Sequence, residues 1–244
     1  MTAPDQPAIT LRDHCTVTLI DAMGDDTRLA GAAWVSTTGQ EAVARAANKP
    51  DDVPGVIGYL MKHRHGTPFE AGVMQFFVHA PIFVWREWHR HRIASYNEES
   101  ARYKTLDPVF YVAPAARPSR KVDGWKPGRP KFDHDAALNE RVNARNALVY
   151  QIAYEKYLAN LADGADPGFA RDCLPVGIFS SCWVTVNVRA LMGFLSLRTF
   201  EADAAYPSYP LYEIDRAARE VERHFAARFP LTHAAFQKNG RVAP

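Results

Sequence analysis

The order of apolar and polar positions divides this chain into strands and helices before any chemistry is read. Residues 15–22, CTVTLIDA, alternate at period two and predict a strand. Residues 28–35 and 40–47 are Ala-rich and predict helices. After Pro54, a helix over 55–64 turns Val56, Ile57, Leu60 and Met61 inward, and His65-Gly66-Thr67-Pro68 stops it. Residues 73–79, VMQFFVH, read as a strand, and Pro81 suits the first turn of a helix reaching about Arg90. A long helix over 135–161 carries Leu138, Val142, Val149 and Ile152 on one stripe. A short helix ends near Asp172, a strand covers 184–188, and a helix covers 190–199. Pro207 and Pro210 punctuate a loop. Ile214, Ala218, Val221 and Phe225, spaced 4, 3 and 4, mark a final amphipathic helix. The fold class is α+β, with most helices after the early strands, in one domain over 1–244. Residues 1–12 form a loose polar end. Residues 113–131, with Pro114, Pro118, Pro127, Pro130 and several Arg and Lys, read as an exposed loop insertion.

Composition narrows the function classes. With 47% hydrophobic and 23% charged residues the chain is globular, which excludes disorder as a description of the whole. No apolar run approaches the roughly 20 residues a membrane span needs, and the N-terminus lacks a secretory pattern. Cys15, Cys173 and Cys182 are odd in number and lack ligand spacing, so they read as free thiols in a reducing cytoplasm. Cys173 reads as a buried small residue. The net charge of +2 argues against sequence-independent nucleic-acid binding. Its 29 cations divide into 21 Arg and 8 Lys, which favours specific anion sites over general charge.

The densest chemistry lies in residues 86–103, REWHRHRIASYNEESARY. On a helix, Arg86 and Arg90 share a face, and two neighbouring guanidinium forks call for an anion or carboxylate between them. Salt bridges to acids such as Glu87 are the bland alternative. The flanking Trp85, Trp88 and PIFVW run favours partial shielding, and so a phosphate or cofactor site. His63-x-His65 and His89-x-His91 have an Arg between the rings, a poor setting for a metal, so none is expected. Ser95 and Ser100 lie in no nucleophile motif, and no G-x-G-x-x-G or P-loop occurs.

Arg90-His91-Arg92-x-x-Ser95, continuing to Ser100-x-Arg102, resembles the R-H-R-x-x-S signature of flavin-dependent thymidylate synthases. HGTPFE (65–70), APIFV (80–84), Ala170-Arg171, Leu174-Pro175, Asn187-Val188-Arg189 and Leu197-Arg198 match that family in the same order. The likeness runs from about Val17 to Phe236. It implies a mixed sheet with long helices, assembled as a homotetramer with sites at subunit interfaces. It implies reductive methylation of dUMP to dTMP, with methylenetetrahydrofolate supplying the carbon and FAD, reduced by NADPH, the hydride. By the same resemblance Arg90, His91 and Arg92 hold FAD, with Thr67, Glu98, Asn187, Arg189 and Ser36. Ser100, Arg102, Arg171 and Arg86 bind dUMP, with Glu87 beside them, and Arg198 sits against the uracil carbonyl as the catalytic donor. His65 and Tyr103 face folate and flavin. No Pro-Cys dipeptide occurs, in keeping with a reaction that uses no cysteine nucleophile.

The chain departs from the family pattern at four places. Glu87 stands where the family commonly has Gln, Ala71 replaces a His, and Gly193 replaces an Asn. After Arg198 the sequence TFEADAAYPSYPLYEI is longer and richer in Pro and Tyr. Glu87 and this segment raise an alternative, a related flavoenzyme acting on a different pyrimidine nucleotide.

Overall fold

The computed structural model describes residues 8–127 and 129–244. Part of the N-terminal polar end, residues 1–7, and one position of the 113–131 segment lie outside the described residues. In chain order the strands are β1 (Thr10–Arg12), β2 (Thr16–Met23), β3 (Val73–Pro81), β4 (Ser95–Glu98), β5 (Val109–Tyr111), β6 (Pro118–Lys121), β7 (Phe132–His134) and β8 (Phe179–Asn187). The helices are α1 (Asp26–Thr38), α2 (Ala42–Asn48), α3 (Val53–Lys62), α4 (Ile82–Trp88), α5 (Ala136–Ala162), α6 (Pro167–Ala170), α7 (Val188–Arg198), α8 (Tyr212–Arg228) and α9 (Pro230–Lys238). One mixed α+β chain results. Its main sheet has the order β2-β3-β8-β4, β1 pairs in parallel with β5, and β6 pairs antiparallel with β7. No described helix is long and apolar enough to cross a membrane.

Contacts sort the chain into two compact units that interleave in sequence. Among the described residues, the first draws on 8–16, His79–Trp88 and Glu98–Cys182, the second on Val17–Val78, His89–Asn97 and Trp183–Pro244.

In the first unit α5 supplies the core wall. Asp135 caps it, accepting from the Leu138 amide at 2.9 Å. Its inner face is Asn139, Tyr150, Tyr154 and Tyr157, not the Leu138/Val142/Val149/Ile152 stripe that periodicity favours. The two faces differ by one position, about 100° around the helix. The tyrosines win because each brings a large ring, and the hydroxyls of Tyr154 and Tyr157 serve backbone otherwise left unpaired. Phe110 stacks on Tyr150 at 4.7 Å, Tyr154 donates to the Leu106 carbonyl at 2.9 Å, and the Leu106 amide donates to the Tyr157 hydroxyl at 3.2 Å. Asn139 and Asn143 clamp the chain at 113–117 onto the same helix. The segment read as a plain loop therefore carries strand β6 and is pinned at its start. Val142, Val149 and Ile152 remain exposed, at 38%, 55% and 56%.

In the second unit the sequence pattern is kept. Ile214, Ala218, Val221 and Phe225 of α8 are fully buried, each large side chain contributing about 1.5–3 kcal/mol of transfer free energy. Ile57, Leu60 and Met61 of α3 are buried as expected, with Val56 at the edge. Buried Asp26 in α1 accepts from the Leu231 and Thr232 amides at 2.8 and 2.9 Å and from the Thr232 hydroxyl at 2.6 Å. It thereby satisfies the orphan amides at the start of α9.

Two boundaries shift. Pro81 closes β3, and α4 ends at Trp88, so Arg90 lies in the turn beyond the helix and does not share a helical face with Arg86. Cys173 ends a short 3-10 turn and is exposed, whereas Cys182 on β8 is buried.

Candidate active site

The first unit contains a cavity of about 430 Å³ whose lining includes Arg86, Glu98, Glu99, Arg171, Asp172 and Ser180. Arg86 comes from the last turn of α4, and Arg171 opens the turn after α6. Asp166 caps α6, accepting from the Phe169 amide at 3.0 Å, and so sets where Arg171 emerges. Gly168 leaves room for the capping Asp166, since an added Cβ would lie 2.9 Å from its Oδ1, and Arg102 packs beside it, with Cγ 3.5 Å from that position. Ser100 accepts from the Arg102 amide at 3.3 Å. Two acids of the cavity are already engaged: Glu98 accepts from Ser180 Oγ at 2.6 Å, and Glu99 from the Ser181 amide at 2.6 Å and from Lys104 at 3.2 Å. By contrast, among the described residues neither Arg86, Arg102 nor Arg171 has a carboxylate partner. Two guanidinium groups lining one cleft without carboxylate partners, with Arg102 beside them over the Tyr103 ring, suit a phosphate.

The second unit contains a cavity of about 920 Å³, lined by residues that include Trp34, Ser36, Tyr59, Arg64, His65, Thr67 and Arg189. Its floor explains the HGTPFE segment residue by residue. An added Cβ at Gly66 would collide with the Arg189 guanidinium and lie 2.7 Å from the Pro244 carbonyl, so glycine lets both come close. Pro68 starts a 3-10 turn, Phe69 is fully buried beneath it, and Glu70 accepts from Arg189 Nη1 at 2.7 Å. His65 and Thr67 are left facing the cavity.

Helix α7 connects this cavity to a second cluster. Asn187 caps it, accepting from the Ala190 amide at 2.8 Å. Arg189 lies in its first turn and Arg198 at its end, about 13 Å along the axis. Arg198 Nε donates to His91 Nε2 at 3.0 Å, so His91 is neutral with its proton on Nδ1. The His91 ring meets Phe194 edge-on at 5.0 Å, and its carbonyl accepts from the Tyr96 hydroxyl at 2.7 Å. Burial first, and then the Arg198 charge, lower the His91 pKa from 6.5 to about 4. Arg90 and Arg92, on either side, are exposed.

This sets a pH dependence. Between pH 6.5 and about 4 an unfolded chain takes up a proton at His91 that the folded one refuses. The stability held by neutral His91 is complete above 6.5 and drains away as pH falls toward about 4. His79 and His224 are also lowered, mainly by burial, and act in the same direction. Thermal melts between pH 7.5 and 5 are expected to show falling stability, with a shallower fall in His91→Gln.

The structure thus gathers Ser36, His65, Thr67 and Arg189 at one cavity and Arg86, Glu98 and Arg171 at another, with Ser100 and Arg102 beside the latter. Glu98, expected with the cofactor residues, lines the cavity of the arginines. His91 pairs with Arg198, and Asn187 serves as a helix cap. Tyr103 is 83% exposed against Arg102 and lines neither cavity. Glu87 is half-buried beside Arg86 in sequence and has interaction partners. Trp34, Tyr59 and Arg64 escape sequence reasoning, although Arg64 stands inside the His63-x-His65 pair and adopts a left-handed φ of 60°. A side chain at Gly193 would meet nothing within 4 Å, so the missing Asn leaves open space on α7.

Residues 18–231 match the family described as thymidylate synthase complementing protein. The chain is 45% identical over 242 residues to a flavin-dependent thymidylate synthase of Streptomyces coelicolor, covering 98% of each. It is 43% identical over 230 residues to one of Tropheryma whipplei, covering 94% of this chain and 95% of the relative. Among solved structures, a UMP/dUMP methylase (PolB) of Streptomyces cacaoi bound with 5-Br UMP is similar at a TM-score of 0.88 and 42% identity, covering 98% of this chain and 100% of that one.

Proposed function

The chain belongs to the flavin-dependent thymidylate synthase family, and from that premise we propose that it converts dUMP to dTMP by reductive methylation. Methylenetetrahydrofolate provides the carbon and NADPH the reducing equivalents. The observation that carries this reading is the pair of cavities in which the family's residues recur, one of them lined by Arg86 and Arg171 without carboxylate partners, with Arg102 beside it.

The first cavity takes the nucleotide. Arg171, Arg86 and Arg102 hold its phosphate, Ser100 adds a hydroxyl, and Glu98, fixed by Ser180, supplies an acceptor for the sugar hydroxyls. The second cavity suits FAD in size and in donor set. Arg64 and Arg189 are forked donors for its phosphates, Ser36 and Thr67 add hydroxyls, and Trp34 and Tyr59 offer apolar surface. Arg90 and Arg92 add cations to its binding, and His65 and Tyr103 serve the folate side. When bound, the flavin supplies the hydride chemistry. The protein's own part is orientation and charge. Arg198, held at Nε by neutral His91, presents its guanidinium to the uracil oxygen where negative charge develops. Cys182 is buried, and no cysteine is needed as a nucleophile.

The whole of 1–244 acts as one catalytic domain of a cytoplasmic enzyme. It assembles as a homotetramer with sites shared between subunits, and the exposed Val142, Val149 and Ile152 stripe supports that assembly, because apolar rows of this kind are usually covered. Sedimentation is expected to give the mass of four chains, and Ile152→Glu to give smaller species.

Assay of dTMP formation from dUMP, methylenetetrahydrofolate and NADPH tests the activity. A second reading has its own support, since the solved UMP/dUMP methylase of Streptomyces cacaoi is as similar, at 42% and 43% identity in its two structures, as several of the named synthases. Turnover of UMP equal to or above that of dUMP in the same assay would favour it.

A further inference from the structure

The last turn of α7 is gripped from two sides by one residue distant in sequence. Arg241 is buried, at 5% exposure, and has a φ of 58°, an uncommon conformation for a residue with a side chain. Its Nη1 and Nη2 donate to the two oxygens of Glu222 at 2.6 and 2.9 Å, and Nη2 also donates to Thr199 Oγ1 at 2.7 Å. Its main-chain carbonyl accepts from Ser196 Oγ at 2.6 Å. Thr199 in turn donates to the Leu195 carbonyl at 2.7 Å. Glu222 is steadied by His233 at 2.9 Å and Gln237 at 3.1 Å. For the Glu222 carboxyl, burial alone would raise the pKa, but the His233 and Arg241 contacts outweigh it and hold the group near 2, so it remains an anion for Arg241.

Ser196 and Thr199 bracket Arg198. The flanking Leu197 and Phe200 are 53% and 44% exposed, so apolar packing of those two side chains does not fix this turn. A buried ion pair is weak evidence for stability in itself, because apolar replacements often do as well. Its geometry here specifies a position: both the side chain and the backbone of Arg241 converge on the turn that carries Arg198.

We infer that Arg241, braced by Glu222, is a positioning residue for Arg198, holding the end of α7 so that the guanidinium meets both His91 and the substrate. This rests on the reading of Arg198 as the uracil-facing donor. Arg241 lines neither cavity and acts through Ser196 and Thr199.

The test uses Thr199→Val, which removes the hydroxyl but leaves the Arg241–Glu222 pair intact. Turnover at saturating dUMP should fall about tenfold, since small displacements of a catalytic group are costly. The KM for dUMP, the bound-flavin spectrum and the melting temperature should stay near wild type. Thr199→Ser, which restores the hydroxyl, should recover turnover. Ser196→Ala, a change that favours helix, gives a second arm and should lower turnover several-fold. In an Arg198→Ala background Thr199→Val should cost nothing further, because the two act as one unit. Full turnover in both Thr199→Val and Ser196→Ala overturns the inference, as does an equal loss in the Arg198→Ala background. If Arg198→Ala alone keeps its turnover, the underlying reading of Arg198 fails, a result distinct from inactive Arg198→Ala beside fully active Thr199→Val.

Discussion

Arg198→Ala is expected to lose about 10²–10³-fold in turnover while the protein stays folded and yellow. The loss follows from what the side chain does. A fixed donor at an oxygen that gains charge is worth more at the reaction's summit than in the bound substrate, so kcat falls more than binding. Arg198 is half-buried at the end of α7, and its Nε is committed to neutral His91. That bond sets the orientation of the planar group. Flavin should be retained, because Arg198 does not line the 920 Å³ cavity where Ser36, Thr67 and Arg189 converge. Removing the side chain also relieves His91 of an adjacent cation, one of the two causes of its low pKa, so the imidazole should titrate at higher pH in the variant. NMR titration of His91 in Arg198→Ala checks that point independently of turnover.

The second large effect is expected at Arg171. Arg171→Ala should weaken dUMP binding about 10–100-fold, the equivalent of about 1.5–3 kcal/mol for a charge-assisted hydrogen bond. Flavin content should be unchanged. Arg171 opens the 3-10 turn after α6, lines the 430 Å³ cavity and has no carboxylate partner among the described residues. Its charge is therefore available to a phosphate. Because Arg86 and Arg102 share the same work, turnover at saturating dUMP should be largely kept. Steady-state kinetics and isothermal titration with dUMP separate the two parameters. Arg171→Lys should recover only part of the affinity, since a point charge lacks the two-pronged geometry.

Much of this arrangement is legible in the sequence where local pattern and tertiary demand agree. The α8 stripe of Ile214, Ala218, Val221 and Phe225 is buried as its spacing predicts. HGTPFE has a reason at each position: glycine for close approach of Arg189, proline to open the turn, phenylalanine to anchor it. The R-H-R run alternates, with His91 packed inward and its two arginines outward.

Other features are set by distant partners that no local window contains. On α5, hydropathy favours Val142, Val149 and Ile152, yet tyrosines one position around the helix bury instead, because Leu106 and Phe110 await their hydroxyls and rings. Glu98 follows strand β4 to Ser180 and so joins the cavity of Arg86 and Arg171. Arg241 looks like a surface charge near the end of the chain, and only the fold brings Glu222 and Thr199 to it. Trp34, Tyr59 and Arg64 acquire their place from the meeting of α1, α3 and α7 around one cavity.

The central claim is that this chain binds flavin and uses it to methylate dUMP. The most direct measurement is the visible absorption spectrum of the purified protein, followed on the same sample by dTMP formation from dUMP with methylenetetrahydrofolate and NADPH. The expected result is an oxidised-flavin spectrum, intrinsic or after reconstitution with FAD, and dTMP formation that requires both dUMP and the folate. A folded, colourless protein that takes up no FAD, or a flavin-loaded protein that makes no dTMP, would contradict it.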